Sequence, residues 1–280
     1  MPYARLIIRA IALSALTVAV YAALLIGLAL IRRSSSRRAR WQALMLHRWA
    51  RIAAFILGLK IDASCNAPAA PFLLVSNHLS YVDVVVFASQ LDCLFVAKKD
   101  VERWPIIGRL SRSFGTIFID RRNRRDLARV NGEIAQALEA GRGVILFAEG
   151  TSSDGSTVLP FRSSLLEAAA RGTLPVSYAA VSYRVWGDDP PARLSVCWWG
   201  DMTFGSHFAG LLRLRRIQAT VSFGSDGIRA DNRKVLAERL WFEVNRLFVP
   251  VELDSASQKL MPMNSHRTIG VEEQCKAATR

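Results

Sequence analysis

The chain has 280 residues, 51% of them hydrophobic, with 17 Gly and 10 Pro, a composition that excludes a disordered or collagenous chain and leaves room for one substantial domain plus an appendage. Its formal charge of +14 is uneven: residues 1–60 hold ten Lys or Arg and no Asp or Glu, which leaves the other 220 residues at +4. That asymmetry is not that of an evenly solvated basic protein, and the dispersed Cys65, Cys93, Cys197 and Cys275, without a C-x-x-C pair, argue against a disulfide framework or a cysteine metal site.

From Ala10 to Ile31 there are 22 residues without a charge, enough for a helix of about 33 Å that crosses a bilayer's hydrocarbon core. The run is too long for a signal-peptide core and ends against Arg32, Arg33, Arg37, Arg38 and Arg40, a stop-transfer flank. These five outweigh Arg5 and Arg9 before it, so the expectation is a single-pass protein of the cytoplasmic (inner) membrane with its bulk facing the cytoplasm. Over Trp41–Leu59, a helical projection collects Arg40, His47, Arg48 and Arg51 on one arc. Trp41, Met45, Trp49, Ile52, Ile56 and Leu59 fall opposite. That pattern predicts a helix lying in the interface of an anionic membrane surface, the alternative being an amphipathic helix packed on the domain. Nucleic acid is not an expected partner: the basic residues flank the most apolar segment, and no zinc-finger or RNP-like signature is present.

After Lys60, apolar runs alternate with helical patterns. Predicted strands are 72–75, 94–97, 116–119, 144–147, 176–181, 194–198 and 219–223; predicted helices are 81–89, 106–113, 125–139, 163–170 and 232–248. The fold class expected is α/β, a mixed sheet flanked by helices, with its site at the carboxyl ends of the strands. Polar clusters stand just there: Asn77-His78 after the first of these runs, Asp120-Arg121 after the third and Glu149-Gly150-Thr151 after the fourth. His78 and Asp83 have the chemistry of a base and its orienting carboxylate, while Ser80-x-x-Asp83 also reads as a capping box that starts a helix. Residues 1–59 are expected to form the membrane module, 60–254 the catalytic domain and 255–280 a poorly ordered tail.

From Phe72 to Tyr183 the sequence resembles the glycerolipid acyltransferases that include bacterial 1-acyl-glycerol-3-phosphate acyltransferases. Four blocks carry the resemblance: Asn77-His78-Leu79-Ser80-Tyr81-Val82-Asp83, Gly115-Thr116-Ile117-Phe118-Ile119-Asp120-Arg121, Phe147-Ala148-Glu149-Gly150-Thr151-Ser152-Ser153, and Leu174-Pro175-Val176. The resemblance implies that His78 deprotonates an acceptor hydroxyl as it attacks an acyl thioester, with Asp83 behind the imidazole. It further implies that Arg121 holds an anionic head group, that Glu149, Gly150 and Thr151 line the acceptor, and that Lys98 assists with phosphate. The implied donor is acyl-CoA or acyl carrier protein, the acceptor a membrane lysolipid, and no cofactor or metal is expected. The first-named acceptor is 1-acyl-sn-glycerol-3-phosphate. Against it, Ala148 and Ser152 stand where phosphatidate-forming members have Pro and Arg. Ser152-Ser153-Asp154-Gly155, Leu159-Pro160-Phe161, Gly200-Asp201, His207, Phe223-Gly224 and Asp231-Asn232-Arg233-Lys234 are similar to the lyso-ornithine lipid acyltransferase branch, which makes that lipid the alternative acceptor. A non-catalytic, membrane-tethered lipid-binding protein is the competing class.

Overall fold

Short Val-, Leu-, Ile- and Phe-rich runs too brief for helices bury themselves by pairing, and six of them, with one more polar strand at the edge, form a seven-stranded sheet. The computed structural model describes residues 2–31, 34–64, 67–120, 122–172 and 174–252. The chain begins with helices α1 (Pro2–Leu30) and α2 (Ser35–Leu57), then strands β1 (Leu59–Ala63) and β2 (Phe72–Ser76). There follow α3 (Val82–Gln90), β3 (Cys93–Lys98), α4 (Lys99–Glu102), α5 (Ile107–Ser113), β4 (Ile117–Ile119), α6 (Arg124–Glu139) and β5 (Gly143–Phe147). A 3-10 turn at Ser163–Leu165 leads to α7 (Glu167–Arg171), β6 (Ser177–Val185), α8 (Ala192–Ser195), α9 (Phe204–Arg213), β7 (Ile217–Phe223) and α10 (Arg233–Leu247).

The strand order is β1-β7-β6-β2-β5-β3-β4, parallel at every pairing except β6 with β7. This is the mixed sheet expected. β2 and β5 are buried along their whole length, as central strands covered on both faces must be. Alternate residues serve opposite cores: Phe72 and Leu74 pack with α2, α3 and α9, whereas Leu73 and Val75 pack with α6, α7 and α10.

Several elements differ from the sequence reading. Residues 194–198 are not a strand; Pro191 accepts from the N–H groups of Leu194 and Ser195, so the prolines start a helical turn, α8, ahead of an irregular segment. β1 is polar and exposed at the sheet edge and lacks the apolar run that marks the other strands. The predicted 163–170 helix is split at Leu166, and β6 runs on to Val185 because β7 pairs with it over seven residues.

Helix α1 is long and apolar enough to cross a membrane. It forms an antiparallel hairpin with α2, in which Trp41 Nε1 donates to Leu24 O at 3.2 Å and Trp49 Nε1 to Thr17 Oγ1 at 3.1 Å. At its other end Arg5 donates to Arg213 O and Arg9 to Leu214 O, at 2.6 and 2.7 Å, satisfying carbonyls left over at the end of α9. Ile7, Ile11, Val18 and Leu25 form its uncovered stripe. For α2, the projection needs amending. Met45, Leu46, Ala50, Ala53, Ala54 and Leu57 are buried, His47 Nδ1 donates to Ala88 O of α3 at 2.9 Å, and the helix packs on the domain while still exposing Arg48, Arg51, Ile52 and Phe55. The expected tail, 255–280, lies outside the described residues.

Candidate active site

The site is built where β2 and β6 stop pairing. Asn77 follows the last β2 residue, and its fully buried side-chain amide replaces the missing ladder: Nδ2 donates to Val181 O at 2.9 Å and Oδ1 accepts from Val181 N at 2.8 Å. The main chain is thereby free to turn, and the next residue, His78, is left partly exposed. Its N–H donates to Glu149 Oε1 at 2.9 Å, its carbonyl accepts from Ser153 N at 2.9 Å, and the next carbonyl, of Leu79, accepts from Trp198 N at 2.8 Å.

His78 Nδ1 lies 2.7 Å from Asp83 Oδ2, and its ring stacks on Phe147 with centroids 4.1 Å apart. Asp83 has no exposed side-chain surface and its two oxygens are fully committed as acceptors: Oδ2 also accepts from Leu79 N at 2.8 Å and Ser80 N at 3.1 Å, and Oδ1 from Tyr183 OH at 2.6 Å. The imidazole proton therefore resides on Nδ1, donated to the carboxylate, which leaves the Nε2 lone pair for a proton from elsewhere. The histidine side chain is 23% exposed, so it is reachable while its orienting partner is not. Burial and the Asp83 charge raise the Tyr183 phenol well above its usual value, keeping it a donor.

The capping box forms by half. Asp83 reaches back to the Ser80 N–H, but Ser80 Oγ is buried without a hydrogen bond; the Asp83 N–H goes to the Ser80 carbonyl at 3.1 Å instead. One carboxylate oxygen, Oδ2, thus serves both the helix start and the histidine.

Glu149 sits beside this pair at the end of β5, the strand next to β2. Oε1 is taken by His78 and Oε2 is buried without a hydrogen bond, and burial is the main reason the carboxyl is pushed up to about 8. Gly150 closes the turn from Phe147 at a φ of +80°, a left-handed conformation costly to any residue with a Cβ.

His78, Asp83, Glu149 and Gly150 are brought together as expected. Thr151 is exposed at the rim, and Lys98 is exposed at the end of β3, two strands from β2. Asp120 ends the edge strand β4 and turns to α6, its N–H donating to Asp126 Oδ2 at 2.6 Å, while Arg121 lies outside the described residues. Beyond Gly150, Asp154 pairs with Arg193 of α8, fixing the serine-rich extension. Among the described residues no cluster of His, Cys, Asp and Glu has the grouping to hold a metal ion.

Asn77, Ser153, Trp198 and Tyr183 carry parts of this site that the sequence did not reveal. Asn77 stood within the first block and Ser153 within the third, though without an assigned role; nothing in the spacing marks Trp198 or Tyr183. His207 is structural: Nε2 donates to Cys197 O at 3.0 Å, so Nδ1 accepts from Tyr81 OH at 2.9 Å, and burial lowers its pKa, holding it neutral.

A family model described as Acyltransferase matches residues 59–182. The chain is 34% identical over 212 residues to the lyso-ornithine lipid O-acyltransferase of Rhizobium meliloti, covering 71% of this chain and 73% of that one. It is 25% identical over 191 residues to the 1-acyl-sn-glycerol-3-phosphate acyltransferase of Neisseria gonorrhoeae, covering 68% and 74%. The crystal structure of PlsC, the 1-acyl-sn-glycerophosphate acyltransferase of Thermotoga maritima, shares the fold, with a TM-score of 0.58 at 18% identity over 88% of this chain and 98% of that one.

Proposed function

This chain belongs to the acyltransferase family, and from that premise we propose that it moves a fatty acyl chain from a thioester to the hydroxyl of a membrane lysolipid, with lyso-ornithine lipid as the acceptor. The observation that carries the chemistry is the His78–Asp83 pair, an imidazole whose Nδ1 lies 2.7 Å from a buried carboxylate while its other nitrogen faces away from it. Nε2 takes the hydroxyl proton as the oxygen attacks the thioester carbonyl. Asp83 stabilises the imidazolium, and collapse of the tetrahedral intermediate expels the thiolate, which receives that proton. No acyl-enzyme is required, because the thioester is already activated. Glu149 and Gly150 line the acceptor side, with Thr151 at the rim. The donor is acyl-CoA or acyl carrier protein.

Two observations favour the ornithine lipid. Ser152 follows Glu149-Gly150-Thr151 where a phosphate-binding arginine was expected, and identity is higher to the enzyme named for that lipid than to the one named for 1-acyl-glycerol-3-phosphate. The phosphate acceptor, the first expectation from the sequence, becomes the second reading, supported by the Asp120-Arg121 block and the Neisseria relative. The membrane attachment is α1, and the arginines that follow it support a catalytic domain on the cytoplasmic side of the inner membrane.

The test offers membranes holding the protein one labelled acyl donor with both lysolipids in competition. Labelled ornithine lipid as the main product supports the reading; labelled phosphatidic acid alone refutes it in favour of the second, for which Arg121→Ala should then raise the acceptor KM.

A further inference from the structure

The segment joining α4 to α5, Arg103-Trp104-Pro105-Ile106, is short, and beyond Trp104 its apolar tip is exposed. Ile106 is 71% exposed, Pro105 is exposed, and exposed arginines Arg103 and Arg109 stand on either side. A lone exposed isoleucine is unremarkable on a protein surface, but this one is joined to two other features.

The first is the membrane helix. Ser113, at the end of α5, accepts through its carbonyl from Gln42 Nε2 of α2 at 2.8 Å, and its hydroxyl lies 3.4 Å from Tyr21 OH of α1. Leu110, on the same helix, packs into the core shared with α1 and α2. The segment is therefore anchored beside α1, which carries an uncovered apolar stripe.

The second is the catalytic loop. Trp104 packs on Phe204 at 5.4 Å and Trp198 at 6.3 Å, and both of these rings pack on Tyr81, at 5.1 and 5.8 Å, within the His78-to-Asp83 block. Aromatic contacts thus run unbroken from the exposed tip to the residue three positions after the base. Helix α9, which carries Phe204, is tied at its far end to Arg5 and Arg9 of α1. Helix α9 thus touches α1 at one end and, through Phe204, both Trp104 and the catalytic-loop Tyr81 at the other.

We propose that the Arg103–Ile106 segment is a second membrane contact, seated in an anionic lipid surface with Ile106 and Trp104 at the acyl boundary and Arg103 and Arg109 among the head groups. The chemistry fits that occupant: apolar and indole side chains occupy the interface, and flanking guanidiniums pair with lipid phosphates. A lysolipid leaving the bilayer there meets Trp104, Phe204 and Trp198 before the base, so its acyl chain need not cross water. This deepens the acyltransferase reading by naming where the lysolipid enters.

The experiment uses the full chain in vesicles of phosphatidylethanolamine and phosphatidylglycerol. With Cys65→Ser and Cys275→Ser in place, and Cys93 and Cys197 buried, a single nitroxide is attached to Ile106→Cys, with reference labels at Ile11→Cys on α1 and Glu238→Cys on the exposed side of α10. The label at 106 is expected to behave like that at 11, more accessible to oxygen than to a water-soluble nickel chelate, and opposite to that at 238. A label at 106 that stays aqueous overturns the proposal, and so does one shielded only when acyl carrier protein is added, which would make the segment a protein-docking site. This readout does not depend on which acceptor is used. As a second variant, Ile106→Asp should raise the lipid concentration for half-maximal transfer with kcat retained; an unchanged half-saturation overturns the contact even where transfer itself is confirmed.

Discussion

Replacing Glu149 with Gln should make the protein more stable, and only above mildly acidic pH. The carboxyl is raised from its ordinary 4.5 to about 8, mainly by burial, so between those values the unfolded chain has released a proton that the folded protein still holds. Stability then falls as pH rises through that window and levels off above it, because the native state binds more protons there. With each pKa unit worth about 1.36 kcal/mol, the loss across the window is on the order of 4–5 kcal/mol. Glutamine cannot ionise, and its carbonyl oxygen can keep the 2.9 Å bond from the His78 N–H, so Glu149→Gln should lack the slope. The assay is denaturant unfolding in detergent, followed by tryptophan fluorescence, for both proteins from about pH 5 to about pH 9. Near pH 5 the curves should nearly coincide, and by about pH 8 the variant should be ahead by several kcal/mol. Parallel pH dependences would refute the reasoning, since the carboxyl would then ionise in the folded protein as readily as in the unfolded chain.

His78→Ala should reduce transfer by at least about 100-fold while leaving the unfolding midpoint and membrane association close to those of the parent; retained activity would remove the base assignment. Tyr183→Phe deletes one charge-assisted hydrogen bond of 2.6 Å and leaves Asp83 Oδ1 buried without a partner, so unfolding free energy should drop by about 1.5–3 kcal/mol. In the same variant kcat should fall with little change in acceptor KM, and an effect on KM alone would make Tyr183 a binding residue. Gly155→Ala should destabilise by at least about 1 kcal/mol, because φ is +79° and an added Cβ would lie 2.6 Å from Val251; a neutral thermal midpoint would contradict it.

The central strands were readable because nothing else explains four or five consecutive apolar residues between turn signals: β2, β3, β4 and β5 all begin and end within a residue of the expected positions. Elements whose order comes from partners were not. β1 has Lys60 and Asp62 on an exposed edge and is a strand only because β7 lies alongside it, and α9 carries Gly205 and Gly210, which weaken its helical signal although its buried face packs on α1 and α8. The site divides in the same way. His78 and Asp83 are close in sequence and so announce themselves, whereas Tyr183 acts on Asp83 from 100 residues away and Asn77 on Val181 from 104. Only the parallel neighbours β2 and β6 bring those pairs together.

In the proposed reaction, these distant contacts are what let a loop carry the base. A histidine on a free turn would spend little time with Nε2 aimed at a substrate, and orientation is where much of the acceleration originates when the thioester is already reactive. Here the turn is held at consecutive positions by different elements: Asn77 by β6, the His78 N–H by Glu149, the His78 carbonyl by Ser153, the Leu79 carbonyl by Trp198 and Asp83 by Tyr183. Three of those contacts use backbone groups of the turn, so they survive any side-chain change in it. The Glu149 carboxyl, kept protonated by its burial, supplies one of them without placing a second anion next to Asp83. Were Glu149 ionised, two buried carboxylates would stand beside one imidazole. The raised carboxyl pKa thus costs stability above mildly acidic pH, but in the proposed reaction it lets Glu149 hold the turn while Asp83 alone supplies the charge behind the base.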